Sequence, residues 1–107
     1  MNFMQGTLDV LILRALARER LHGYDVVAWI LEATGGVLEI EEGALYTALH
    51  RMEARGWLAS QWATSPKGRR AKYYRLTAEG RQQLRNGERE WIRFSGAVTS
   101  IFRRGEA

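Results

Sequence analysis

The side chains best suited to chemistry lie on one face of a helix predicted over residues 41–56. Leu45, Leu49 and Met52 follow the spacing i, i+4 and i+7, so they form an apolar stripe that must face a core. The opposite face carries hydrogen-bonding groups and one fixed positive charge, which belong to Tyr46, Thr47, His50 and Arg51. An α-helix fits the major groove of DNA, where such groups read base edges. This pattern indicates a recognition helix, and the alternative is a surface helix with a mixed polar face.

A group of cations follows this helix, at the tip of a predicted β-hairpin. The cations stand beside a turn marked by Pro66 and Gly68, and they are Lys67, Arg69, Arg70 and Lys72. Long basic side chains at a turn can straddle phosphates or enter a narrow minor groove. The alternative is a solvated charge run that keeps an edge hairpin from aggregating. The position directly after a candidate recognition helix favours contact with the DNA backbone.

The distribution of charge along the chain supports the same interpretation. Residues 1–43 carry three Arg or Lys against seven Asp or Glu, residues 44–77 carry seven against one, and residues 78–107 carry six against four. The middle segment therefore has a net charge of +6, more than the +4 of the whole chain. A phosphate-binding surface requires such an excess, because each neutralised phosphate releases counterions. A winged-helix module that binds protein instead of DNA would not need it.

Other functional classes have little support in the sequence. The two histidines, His22 and His50, have no HxxH or HExxH spacing, so no metal ligand, catalytic residue or cofactor is predicted. The lack of Cys suits a reducing cytoplasm and excludes disulfides. No apolar run reaches about 18 residues, so no membrane span is predicted. We expect a non-enzymatic protein of a single domain size, with double-stranded DNA as its partner.

The elements that must position these groups follow in a recognisable order. A buried helix starts near Thr7, which could cap it, and a second helix over residues 23–34 has Tyr24, Val27, Ala28 and Leu31 as its inner stripe. A short strand at residues 37–40, the recognition helix, and hairpin strands at 57–63 and 71–76 come next. The expected fold is mainly α with a small β-hairpin. It comprises a winged helix-turn-helix domain over residues 1–77 and a C-terminal dimerisation helix and tail over residues 78–107.

The last helix, capped by Thr77, carries its own apolar seam. The seam consists of Leu84, Trp91 and Val98, spaced by seven residues, with Phe94 and Ile101 offset by three. A helix that leaves a completed domain buries such a seam most readily against a second copy, which predicts a homodimer. The alternative is that the helix folds back on its own domain. Two Trp91 side chains across a twofold axis could also form a slot for a small aromatic effector.

Four linked motifs resemble those of the PadR family of bacterial transcriptional regulators. They span residues 6–8, 22–25, 43–53 and 68–80, and they read GTL, HGYD, GALYTALHRME and GRRAKYYRLTAEG. The resemblance implies a winged-helix repressor that acts as a dimer on palindromic promoter sites and often answers to small aromatic effectors. It also implies that the chain is similar to the short subgroup, some members of which bind planar drugs beside a tryptophan. Trp91 holds that position here.

Two positions depart from the family pattern. Ala44 stands where Ser or Thr is common, and Thr47 stands where Pro is common. Ala44 lacks a hydroxyl that could touch a phosphate, whereas Thr47 adds a backbone donor and a hydroxyl. The base preference of the family therefore does not transfer to this chain.

Overall fold

The computed structural model describes residues 3–104, which form four helices and one three-stranded antiparallel sheet. In chain order the elements are α1 (Phe3–Ala15), β1 (Leu21–His22), α2 (Gly23–Ala33), α3 (Glu42–Ala54), β2 (Leu58–Thr64), β3 (Arg70–Leu76) and α4 (Ala78–Arg104). The strand order in the sheet is β1-β3-β2. This arrangement confirms the predicted winged-helix fold with a long C-terminal helix.

The apolar stripe of α3 lies at the centre of the core. Leu45, Leu49 and Met52 are buried as predicted, and Ala48 joins them. They pack in one cluster with side chains of α1, α2 and the hairpin, including Ile12, Leu13, Leu16, Val26, Ile30, Leu58, Tyr74 and Leu76. Burial of each large apolar side chain contributes about 1.5 to 3 kcal/mol. This cluster therefore fixes the rotation of α3 about its axis.

The inner face of α2 differs from the prediction. Val26 and Ile30 are buried, whereas Tyr24 and Ala28 are exposed. The helix also carries Val27, Trp29 and Leu31, so apolar residues occur on nearly every side and several stripes fit the sequence. Helix α1 likewise begins at Phe3 rather than near residue 7, so Thr7 lies inside the helix and does not cap it.

The third strand also lies elsewhere than predicted. Residues 37–40 form no strand, because this segment folds against the end of α2, where the backbone N–H of Leu38 donates to the Thr34 hydroxyl at 3.0 Å. Its place is taken by β1, in which Leu21 pairs with Tyr74 and His22 pairs with Tyr73. Because β1 leads directly into α2, this pairing attaches the start of α2 to β3, the central strand of the sheet.

Helix α4 begins at the predicted cap and first folds back on its own domain. The Thr77 hydroxyl accepts from the N–H of Gly80 at 3.0 Å and donates to the carbonyl of Gly56 at 2.6 Å. Leu84 is buried in the core of its own chain, which corrects its expected place in a seam between subunits. Farther along, large apolar side chains become exposed, namely Trp91, Ile92, Phe94, Ile101 and Phe102. The first turns of α4 therefore contribute to the core, and the later turns present an apolar surface to solvent.

Two glycines of α4 provide a matched test of this docking. A Cβ atom at Gly80 would lie 2.0 Å from the Trp57 carbonyl oxygen, whereas one at Gly96 would have nothing within 4 Å. We expect Gly80→Ala to reduce the free energy of unfolding by about 1 to 3 kcal/mol, because the backbone at Trp57 or at the start of α4 must move to admit the methyl group. Gly96→Ala should raise it by about 0.5 to 1 kcal/mol through helix propensity. Denaturant titration measures both, and equal effects of the two substitutions would contradict the close approach.

Candidate nucleic-acid interface

The outward face of α3 lies opposite its buried stripe. Thr47 and His50 are exposed there, together with the small residues Gly43 and Ala54. Because a helix advances about 100° per residue, these four positions share one side. The result is a nearly flat helix surface from which two side chains able to hydrogen-bond project.

A groove of about 1000 Å³ separates this helix from the hairpin and the start of α2. It brings together six of the predicted site residues, Tyr46, His50, Lys67, Arg69, Arg70 and Lys72. Lys67, Arg69 and Arg70 are exposed near the hairpin turn. The groove is thus bordered by a helix face on one side and by exposed cations on the other. Such a groove suits a negatively charged polymer.

Arg51 lies apart from this group, which corrects its expected position beside Tyr46 and His50. Its guanidinium donates to the carboxylate of Asp9 on α1. Asp9 is only 7% exposed, and the Arg51 side chain is 23% exposed. Removing one member of such a pair leaves the other charge buried and unsatisfied. Arg51 therefore joins α3 to α1 and does not project from the outward face.

Lys72 is also engaged inside the protein. Its Nζ lies 3.3 Å from Glu53 on α3, and the Ser60 hydroxyl donates to the same carboxylate. The Ser60 hydrogen bond lowers the pKa of Glu53 below its ordinary 4.5; burial opposes this effect, and Lys72 reinforces it. Burial acts to lower the pKa of Lys72, but its interactions with Glu53 and Tyr74 outweigh this and raise it above 10.5. Both groups stay charged at neutral pH and bind the hairpin to α3.

Two aromatic residues of the groove were not among the predicted site residues. Tyr24 is 76% exposed at the start of α2, and Trp62 is 55% exposed on β2. The strand position of Trp62 was the available signal. It lies two residues after Ser60 and therefore on the same strand face, the one that contacts α3. Tyr24 was assigned to the core because the stripe of α2 was misplaced. Tyr46 itself is half-buried, and its ring packs against Gly23.

A second cavity, of about 310 Å³, lies between α1 and α4. Trp91 and Phe94 line it with their rings stacked, 6.1 Å apart between centroids and 30° between planes. Asp9, the partner of Arg51, contributes to the same lining. Val98 is half-buried one turn farther along α4. The predicted effector or dimer residues other than Leu84 thus flank an open apolar surface.

Within residues 3–104, no group of three or more His, Asp or Glu side chains is placed to hold a metal ion. Over the same part of the chain, no helix has the length and hydropathy needed to cross a bilayer.

Comparison with known proteins identifies the family. The model of the transcriptional regulator PadR-like family matches residues 12–86, which include α2, α3, the hairpin and the start of α4. The chain belongs to the PadR-like family of transcriptional regulators. A transcriptional regulator of Mycobacterium tuberculosis is 33% identical over 89 residues, or 82% of this PadR-like chain and 78% of that protein.

Solved structures extend the match to the whole fold. A transcriptional regulator from Clostridium thermocellum superposes with a TM-score of 0.82 at 28% identity, over 94% of this chain and 97% of the other. A PadR family regulator from Eggerthella lenta is 37% identical, with a TM-score of 0.74 over 91% of this chain and 82% of the other. The long α4 is therefore shared with PadR regulators as well as the winged helix.

The role of Arg51 as a structural link can be tested by stability. Asp9→Asn should reduce the free energy of unfolding by about 1 to 3 kcal/mol, because it leaves the guanidinium poorly paired. Adding Arg51→Gln should cost little more, since the interaction is already lost. Glu32→Gln, at an exposed position of α2, is the control and should change stability much less. Additive losses in the double variant would show that Asp9 and Arg51 act independently.

Proposed function

We propose that this PadR-family regulator binds operator DNA as a homodimer and represses transcription by occupying its promoter. The observation that supports this most directly is the groove between α3 and the hairpin. Its α3 side presents His50, with Thr47 exposed outside the groove on the same helix face, and the other side presents the cations of the turn. Base-edge contacts give sequence preference, whereas phosphate contacts supply affinity and register. The groove offers both kinds of group on a single surface.

The proposed roles follow the exposure of each side chain. Thr47 and His50 contact base edges in the major groove, and Tyr46 lies beside them at the groove wall. Lys67, Arg69 and Arg70 contact backbone phosphates that flank the site. Lys72 holds the hairpin against α3 through its pair with Glu53, and Arg51 holds α3 in place against α1. This assignment replaces the base-reading role expected for Arg51 from the sequence.

The dimer is proposed to form through the exposed part of α4. Trp91, Phe94, Val98 and Ile101 fall within one side of the helix at 100° per residue, and three of these four are exposed in the single chain. Isolated apolar helix surfaces of this kind are normally covered by a partner. In this proposal residues 1–77 bind DNA and residues 78–107 join the subunits. A twofold dimer would present two basic grooves to a palindromic operator.

A small aromatic effector is proposed to act at the cavity beside Trp91. The stacked rings of Trp91 and Phe94 provide flat apolar contact area. Asp9 lines this cavity and also bonds Arg51 of α3. A ligand that displaces the Asp9 carboxylate would therefore disturb the support of the DNA-binding helix. This connection gives the effector a physical route to the operator, and the proposal is that binding releases DNA.

The division of roles predicts two kinds of defect in DNA binding. Arg69→Ala should weaken binding to all sequences and lower the slope of log K against log salt by about 1. Thr47→Ala or His50→Ala should change the preference among operator bases by about 1 to 3 kcal/mol. Arg18→Ala, an exposed cation outside the groove, is the control.

Fluorescence anisotropy with a short duplex measures all four variants over a range of salt. Loss of affinity without any change in salt slope for Arg69→Ala would contradict phosphate contact. If the chain folds normally but does not bind DNA at low salt, the result would favour a winged-helix module that binds protein instead.

Trp91→Glu should separate the subunits, because it places a charge in the proposed apolar seam. We expect sedimentation to show a dimer for the parent chain and a monomer for the variant. Flat aromatic compounds that quench tryptophan emission in the parent should lose that effect in the variant. Ser100→Glu, on the opposite side of α4 by helical spacing, is the matched control and should remain dimeric. A monomeric parent chain would overturn the proposed assembly.

A further inference from the structure

Trp62 is a large apolar side chain that faces the groove from the hairpin. It is 55% exposed, and its register partner on β3 is Lys72. Ser60, two residues earlier on the same strand face, contacts Glu53 of α3. The indole therefore projects between the hairpin and α3, where the proposed function places DNA. Exposure of so much aromatic surface carries a hydration cost unless a partner covers it.

Arg70 lies directly against this indole. Its guanidinium carbon is 5.4 Å from the ring centroid, within the range of a cation–π interaction. The two residues are diagonal neighbours across the hairpin, since Arg70 pairs with Thr64 and Trp62 pairs with Lys72. A guanidinium that stacks on an aromatic ring keeps its in-plane N–H groups available to fork onto phosphate oxygens. Stacking on Trp62 and binding of phosphate are therefore compatible.

The neighbouring cation on this face is used differently. Within residues 3–104 the ion pairs join His22 to Asp25, Arg51 to Asp9 and Lys72 to Glu53. Lys72 is thus paired with a carboxylate inside the protein, whereas Arg70 contacts an aromatic face and takes part in none of these ion pairs. An oriented cation without a carboxylate partner is suited to an anion from outside. Lys67 and Arg69, nearer the turn, have more rotamer freedom to lose when they bind.

We infer that Trp62 and Arg70 form a single DNA-contacting unit. The indole orients the guanidinium toward a backbone phosphate and packs against the adjacent deoxyribose. This inference rests on the proposed DNA binding and assigns a positioning and contact role to Trp62, which lies outside the predicted site. The unit supplies affinity at the flank of the operator, because neither group reads a base edge in this arrangement.

A double-mutant cycle tests the coupling between the two side chains. The probe is a fluorescein-labelled DNA duplex of random sequence, titrated in low-salt buffer with the full chain. Trp62→Ala should weaken binding by about two- to fivefold, the range of an exposed cation–π contact. Arg70→Ala should weaken it at least as much, and the double variant should lose less than the product of the two single fold-changes. Trp62→Ala combined with Arg69→Ala is the matched control and should give additive losses.

Additive losses for Trp62 and Arg70 would overturn the unit. Thermal melting by circular dichroism accompanies each titration, and Trp62→Phe, which keeps an aromatic face, replaces Trp62→Ala if that variant unfolds. Trp62→Phe should retain part of the affinity for the duplex. A folded Trp62→Phe chain that has lost all affinity would count against the contact.

Tryptophan emission provides a readout that a purely structural role would not change. DNA should quench emission of the parent chain, and this quenching should disappear in Trp62→Phe while Trp29, Trp57 and Trp91 remain. Quenching that persists in Trp62→Phe would show that DNA does not reach the indole. If the parent chain fails to bind the duplex, the proposed function itself fails. If the parent binds and Trp62→Ala binds equally well, only the present inference fails.

Discussion

The burial of one side of α3 is the constraint on which the rest of the structure depends. Leu45, Ala48, Leu49 and Met52 are each no more than 1% exposed. Rotation of this helix by one residue would expose part of this stripe and bury polar groups, at a cost of several kcal/mol. The outward position of Thr47 and His50 is therefore a consequence of packing. The surface proposed to read DNA is thus held in place by residues of the core.

Ion pairs on the two flanks of α3 complete this support. Arg51 joins the helix to α1 through Asp9, and Glu53 joins it to the hairpin through Lys72 and Ser60. These contacts pair two of the seven cations of residues 44–77 with carboxylates inside the protein. Of the other five, Lys67, Arg69 and Arg70 are exposed at and near the turn, where the proposal places phosphate. Net charge therefore pointed to one region of the chain, whereas only the fold shows which of its cations are paired inside the protein.

The sequence was informative where periodicity was unambiguous and local. The stripe of α3, the Thr77 cap and the two hairpin strands depend on neighbours within a few residues, and the structure has them close to where they were predicted. Arg51 was misplaced because it lies at the edge of the outward face, and its partner Asp9 is 42 residues away. The inner side of α2 could not be chosen from a helix that is apolar on nearly every side. Strand β1 was missed because two residues carry no periodicity.

Helix α4 illustrates how one seven-residue repeat can serve two purposes. Leu84 is buried by its own domain, whereas Trp91 and Phe94 line the cavity beside α1 and remain partly exposed. The spacing of apolar residues is the same in both parts, so the sequence alone did not show where the intrachain contact ends. The exposed part is what a second subunit would cover, and the distance between two such subunits would set the spacing of the DNA sites.

The account can be tested most directly by selecting bound duplexes from a random DNA pool with the purified chain. It predicts an inverted repeat whose half-sites lie about one helical turn, or 10 base pairs, apart. Recovery of unrelated sequences, or of a single half-site with no repeat, would contradict a twofold dimer that reads DNA through paired grooves.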